Sequence, residues 1–120
     1  MKLQNHLSAA EKKALQSYVQ ILANALPHEI NSIILFGSKA RGTSKTKSDT
    51  DIAVVLKGRK TPALRSVIAD SAFTPMARFG VDLSPFLISL AEFRKDTPLT
   101  HRIKTEGIEL WNRRNLSAAA

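Results

Sequence analysis

Ile33-Ile34-Leu35-Phe36-Gly37-Ser38, followed after a polar interval by Asp49-Thr50-Asp51-Ile52-Ala53-Val54-Val55-Leu56, is the stretch whose reading decides the fold. Two apolar runs bracket a loop, which predicts buried strands at about 32–36 and 50–56. The second run is apolar on both faces after Asp51, as suits a central strand covered on both sides. A glycine and serine leave the first strand and two aspartates open the second, so the loop between them can hold a phosphate beside a metal ion.

Outward from this pair, Ser8 and Glu11 form a capping-box pattern. Leu15, Tyr18, Val19, Leu22, Ala25 and Leu26 recur at helical spacing, predicting a helix over about 8–26 that stops at Pro27. Arg41-Gly42-Thr43 is expected in a short helical turn. On the other side, Thr61-Pro62 reads as a cap with proline in the first turn, and Leu64, Val67, Ile68 and Ala72 carry a helix to about Ala77. Val81 to Ile88 reads as a third strand, which Pro85 restricts to an edge or a bulge. Ser89 and Glu92 start a short helix, and Thr97-Pro98 starts another that Gly107 closes in the usual C-terminal role. Ile108 to Trp111 is a last strand, and Trp111 and Phe86 are expected in the core.

The chain has 120 residues, 43% of them hydrophobic, enough for one core and not two. One domain is expected over 1–114, with a catalytic core at about 30–111 and a flexible tail at 115–120. The absence of cysteine excludes disulfides and thiolate metal sites. Neither a signal-peptide pattern nor a run of about 18 apolar residues is present, so a cytoplasmic, membrane-free protein is expected. The net charge is +8, calling for a polyanionic partner, a phosphate-bearing ligand or an acidic protein surface. Residues 39–60 concentrate it: Lys39, Arg41, Lys45, Lys47, Lys57, Arg59 and Lys60 stand against Asp49 and Asp51. With one Trp, one Tyr and no aromatic-basic interleaving, direct nucleic-acid binding is not expected.

Side chains alternate along a strand, so Asp49 and Asp51 point the same way and repel. A hard cation such as Mg²⁺, held by one or two carboxylates and substrate phosphates, relieves that repulsion. Asp82, between Val81 and Leu83, would be costly as an unpaired charge in an apolar strand and makes sense beside the other two. Three carboxylates suit a two-metal phosphoryl or nucleotidyl transfer site. Gly37 lets the backbone approach a phosphate, Ser38 offers a hydroxyl and an amide, and Lys39 and Arg41 offset triphosphate charge. The two-glycine spacing of Gly37 and Gly42 is not a Walker loop, because Thr43 stands where the phosphate-binding lysine belongs.

Gly37-Ser38-Lys39-Ala40-Arg41-Gly42 with Ser48-Asp49-Thr50-Asp51-Ile52-Ala53-Val54 resembles the signature of DNA polymerase β-like nucleotidyltransferases, and especially of the minimal nucleotidyltransferases (MNT). Asp82 falls where that family's third carboxylate stands, and Glu106 to Trp111 resembles its C-terminal ending. The resemblance implies an α/β (α+β) fold with a small mixed sheet flanked by helices. It also implies ATP as donor, two Mg²⁺ ions and transfer of AMP to a hydroxyl. Asp49, Asp51 and Asp82 would be the catalytic metal ligands, with Asp82 deprotonating the acceptor. Gly37, Ser38, Lys39, Arg41 and Ser48 would hold the nucleotide. The implied partner is a HEPN-family RNase toxin, a class that MNT proteins neutralise, in studied cases by modifying a tyrosine. A non-catalytic antitoxin acting by contact, or transfer to a small molecule, stays open as an alternative.

Overall fold

The computed structural model describes residues 7–42 and 49–113. Ser48, Lys45, Lys47, Thr43 and the tail at 115–120 lie outside the described residues. The order is α1 (Ala9–Ala25), β1 (Ile30–Phe36), α2 (Ser38–Arg41), β2 (Thr50–Leu56), α3 (Pro62–Asp70), α4 (Phe73–Phe79), β3 (Leu83–Ser89), α5 (Leu90–Phe93), α6 (Pro98–Glu106) and β4 (Ile108–Asn112). The strands form one mixed sheet in the order β3-β2-β1-β4. β1 runs antiparallel to β2 and β4, while β2 and β3 are parallel. β2 is therefore interior, as its doubly apolar sequence requires, and β3 with Pro85 is an edge.

Alternation sorts each strand between two faces. Ile33 and Leu35 of β1, Ile52, Val54 and Leu56 of β2, and Leu83 and Leu87 of β3 join the larger core with Leu15, Tyr18 and Leu22 of α1 and Ile68 of α3. The capping box that starts α1 is complete: Glu11 N donates to Ser8 Oγ at 3.0 Å and Ser8 N donates to Glu11 Oε1 at 2.8 Å. Tyr18 is fully buried and donates its hydroxyl to the Ile68 carbonyl at 2.6 Å; burial pushes this phenol up. The opposite face, hereafter the open face, holds a smaller cluster of Ile34, Ala53, Val55, Ile88 and Ile103, flanked by Phe36, Leu90 and Phe93. Among the described residues, α5 and α6 cover it through Leu90, Phe93 and Ile103.

Three expectations change. The helix foreseen to Ala77 is two helices, α3 and α4. Pro75 has no N–H for the Ser71 carbonyl four residues earlier and is accommodated only in the first turn of a new helix. Gly107 ends α6 in an extended conformation, φ −72, and not the left-handed one. Glycine is needed there because a Cβ would collide with the Ile103 carbonyl and lie 2.6 Å from Ile34 Cγ2. Phe86 is 40% exposed, since alternation turns Leu83 and Leu87 inward and Phe86 to the open face. No helix among the described residues is long and apolar enough to cross a membrane.

Candidate functional site

β1 delivers Phe36 opposite Asp51 in the antiparallel ladder, and the chain then turns at Gly37. Gly37 has φ +78 and ψ −157, a conformation that costs other residues strain. A Cβ here would sit 2.5 Å from Asp51 Oδ2. The glycine thus serves twice, permitting the turn and letting backbone lie against a carboxylate. One turn of helix follows from Ser38, closed by the Gly42 amide donating to the Ser38 carbonyl at 2.9 Å.

The carboxylates come from the parallel pair. Thr50 pairs with Leu83 and Asp51 with Ser84, so Asp49 and Asp82 each precede the ladder by one residue. The Thr50 amide donates to the Asp82 carbonyl at 2.9 Å, fixing the two strand starts side by side. By alternation, Asp51, Ser84 and Phe86 belong to the open face with Phe36, while Asp49 and Asp82 stand one residue before their strands. Phe36 and Phe86 meet edge to face with ring centroids 6.5 Å apart, over the small, fully buried Ala53.

Asp51 is half-buried, and its carboxyl is held above the usual range, first by burial and then by the negative charge of Asp49, with Arg41 acting against both. Asp49, Asp51 and Arg41 are therefore brought within electrostatic reach of one another. Asp82, just before β3, is exposed. Among the described residues, no three acidic or imidazole side chains converge as a metal centre.

The basic residues are placed differently from one another. Lys39 is buried, 4% exposed, in an ion pair with Glu11 of α1. Burial alone would raise the Glu11 carboxyl, but Lys39 and the Ser8 hydrogen bonds bring it below its ordinary value. Arg41 pairs with Glu106 at the end of α6 at 3.1 Å. Glu11 and Glu106 thus anchor the turn after Gly37 to two distant helices. Sequence reasoning assigned Glu11 only its capping task, since nothing local points to a partner in another element. Ser84 and Phe86 also line the site unforeseen, although their even spacing from Asp82 is a usable signal; Phe36 joins them only through its pairing with Asp51 across the ladder.

Residues 16–115 match the family described as polymerase beta, nucleotidyltransferase. The candidate protein adenylyltransferase MJ1305 of Methanocaldococcus jannaschii is 33% identical over 76 residues, covering 62% of this chain and 52% of that protein. The chain spans about half the length of that curated relative. Among solved structures, a toxin-antitoxin structure with AMP-PNP is similar at TM-score 0.60 and 25% identity, over 88% of this chain and 78% of the other. A chain from the complex of tri-AMPylated Shewanella oneidensis HEPN toxin with MNT antitoxin matches at TM-score 0.56 and 21% identity, over 90% and 77%. At that identity the likeness is one of fold.

Proposed function

The chain belongs to the polymerase beta nucleotidyltransferase family, and on that premise we propose that it transfers AMP from ATP to a hydroxyl, that of a tyrosine, on a cognate HEPN-family toxin and so acts as its antitoxin. The observation that carries this reading is the Asp49–Asp51 pair, with Asp51 pressed against the Gly37 backbone on the open face. Similarity to toxin-antitoxin structures, one of them with AMP-PNP, supports the choice of partner and donor.

The donor set fits Mg²⁺. Among the described residues, two neighbouring carboxylates are opposed by Arg41, itself paired with Glu106, and carry a repulsion that an oxygen-seeking divalent ion relieves. Asp49 and Asp51 would hold it, and Asp82, one residue before β3 and not converged with them here, would have to close on the pair to serve a second ion. When bound, the ions would neutralise phosphate charge and polarise the reacting oxygens. The chain's own residues do the rest. The Gly37-Ser38 backbone and the Ser38 and Ser48 hydroxyls receive phosphate oxygens, Arg41 supplies positive charge, and Lys39 secures the turn through Glu11. Asp82 takes the proton of the acceptor hydroxyl as its oxygen bonds to the α-phosphorus; the bond to the β-phosphate oxygen breaks and pyrophosphate leaves.

Incubation of the full chain with its HEPN-family partner, Mg²⁺ and α-labelled ATP tests this. Label should appear on a partner tyrosine, and Asp49→Asn should slow its transfer by about 100-fold or more, the scale of losing a transition-state electrostatic contact. Labelling of the partner at the wild-type rate by Asp49→Asn would remove the carboxylate assignment.

A further inference from the structure

We infer that a second site, a cavity on the open face at the end of the sheet away from Gly37, binds a small phosphate ligand. Its volume is about 590 Å³, within the roughly 300–1,000 Å³ typical of small-molecule sites. Ser32 and Ile34 of β1 form its floor, Phe93 and Ile103 stand along one wall, and Arg94, Lys104 and Arg113 supply its charge. Ser32 is four residues from Phe36, roughly 13 Å along an extended strand, and Phe36 is the residue that pairs with Asp51. The cavity is therefore distinct from the carboxylate site.

Three features select a phosphate. The first is charge: among the described lining residues, Arg94, Lys104 and Arg113 stand against one acid, Glu109, whose carboxylate accepts from the Asn112 amide. None of the three cations is in an ion pair among the described residues, whereas Lys39, Arg41 and Lys60 each have a carboxylate partner. The surplus of two positive charges matches a phosphomonoester dianion. Lys104 Nζ instead lies 5.1 Å from the centre of the Phe93 ring, which steadies a cation while leaving its charge uncompensated.

The second feature is an orphaned donor. Arg113 Nη2 donates to the carbonyls of Pro27 at 2.6 Å and Ile30 at 3.2 Å, which fixes the guanidinium plane. Its Nε is buried and has no acceptor among the described residues. Such a group costs about 1–3 kcal/mol, or more when charged, and an oxyanion is the acceptor that removes the cost. The third is Ser32, 4% exposed within an otherwise apolar run from Ile30 to Phe36, apart from Asn31. Its Oγ accepts from Asn31 Nδ2 at 3.4 Å, leaving the hydroxyl hydrogen for a further acceptor. Serine in this inward position is explained by a polar ligand over the strand.

The test is a titration of the ¹⁵N-labelled full chain with AMP, inorganic phosphate and adenosine, each without divalent ions. AMP or inorganic phosphate should shift the amides of Ser32, Ile34, Gly107 and Glu109, and the stronger of the two names the source of the phosphate. Arg94→Gln with Lys104→Gln should weaken that binding at least about tenfold, as expected from losing two charged contacts, while MgATP shifts at Gly37 and Asp51 stay as in the wild type. The inference is overturned if neither anion shifts the cavity amides, if adenosine binds there as tightly as AMP, or if the double variant binds unchanged.

Discussion

The two faces of the sheet are built from the same four strands and do opposite things. On one, Ile52, Val54 and Leu56 of β2 are sealed under helices, with the 17-residue α1 contributing Leu15, Tyr18 and Leu22 to a continuous core. On the other, Asp51, Ala53 and Val55 of the same strand run from a carboxylate into a small apolar cluster covered by a 4-residue and a 9-residue helix. A strand alternates strictly, so one register error would exchange the two faces. The difference teaches that the sealed face supplies the stability against which the open face can keep repelling carboxylates, an exposed Phe86 and unpaired cations.

Breaking the sealed face should have the largest effect. Leu15 is fully buried at the centre of the α1 contact. Leu15→Ala should cost about 3–4 kcal/mol by urea denaturation, the range for leucine truncation in a packed core. The rate of AMP transfer per folded molecule should not change. A lowered rate at full folding would mean that the faces are not separable.

The Glu11–Lys39 pair is where the faces are tied together, because it joins α1 to the turn that follows Gly37. Glu11→Gln removes one partner and leaves a buried ammonium, at a cost of about 2 kcal/mol, less than the 3–5 of a fully enclosed pair. It should also raise the KM for ATP more than it lowers kcat. The Glu11 carboxyl is below its ordinary 4.5, so its contribution is complete above that pH and is lost as pH falls below it. The stability gap between wild type and Glu11→Gln should narrow over that window. A gap independent of pH would place the loss in the helix cap and not in the ion pair.

Local rules made most of the sealed face legible. The α1 stripe, the Ser8–Glu11 box and the strand at 50–56 can each be read from adjacent residues, and each is present. The break before α4 was equally local, but the apolar spacing through Ala72 masked the requirement of Pro75. On the open face, period-two spacing was enough to put Asp49 and Asp51 together, and the register of β3 brings Asp82 to the same level. The destinations of Lys39 and Arg41 could not be read, because Glu11 and Glu106 reach them from distant elements. Composition offers those two basic residues to phosphate, and tertiary structure adds a carboxylate partner for each. The cavity escaped for the same reason: Ser32, Lys104 and Arg113 are unrelated until β4 closes beside β1.

The smallest predicted effect has the opposite sign and sharpens the contrast most. Asp51 keeps its proton to a higher pH in the folded chain than its ordinary 3.8 allows, because of burial and Asp49. The folded state therefore binds that proton more tightly than the unfolded state, and stability falls as pH rises from 3.8 through the elevated value. Above that window the ionised group is a net cost that Asp51→Asn removes. The variant should be more stable than wild type at pH 7 by less than about 1 kcal/mol, given partial exposure, and the gain should vanish below pH 3.8. AMP transfer should be lost at the same time, the trade-off expected where a site retains charge at the expense of stability. A variant less stable than wild type at pH 7 would mean that Asp51 serves the fold, as the sealed-face residues do, and the distinction between the faces would fail at its central residue.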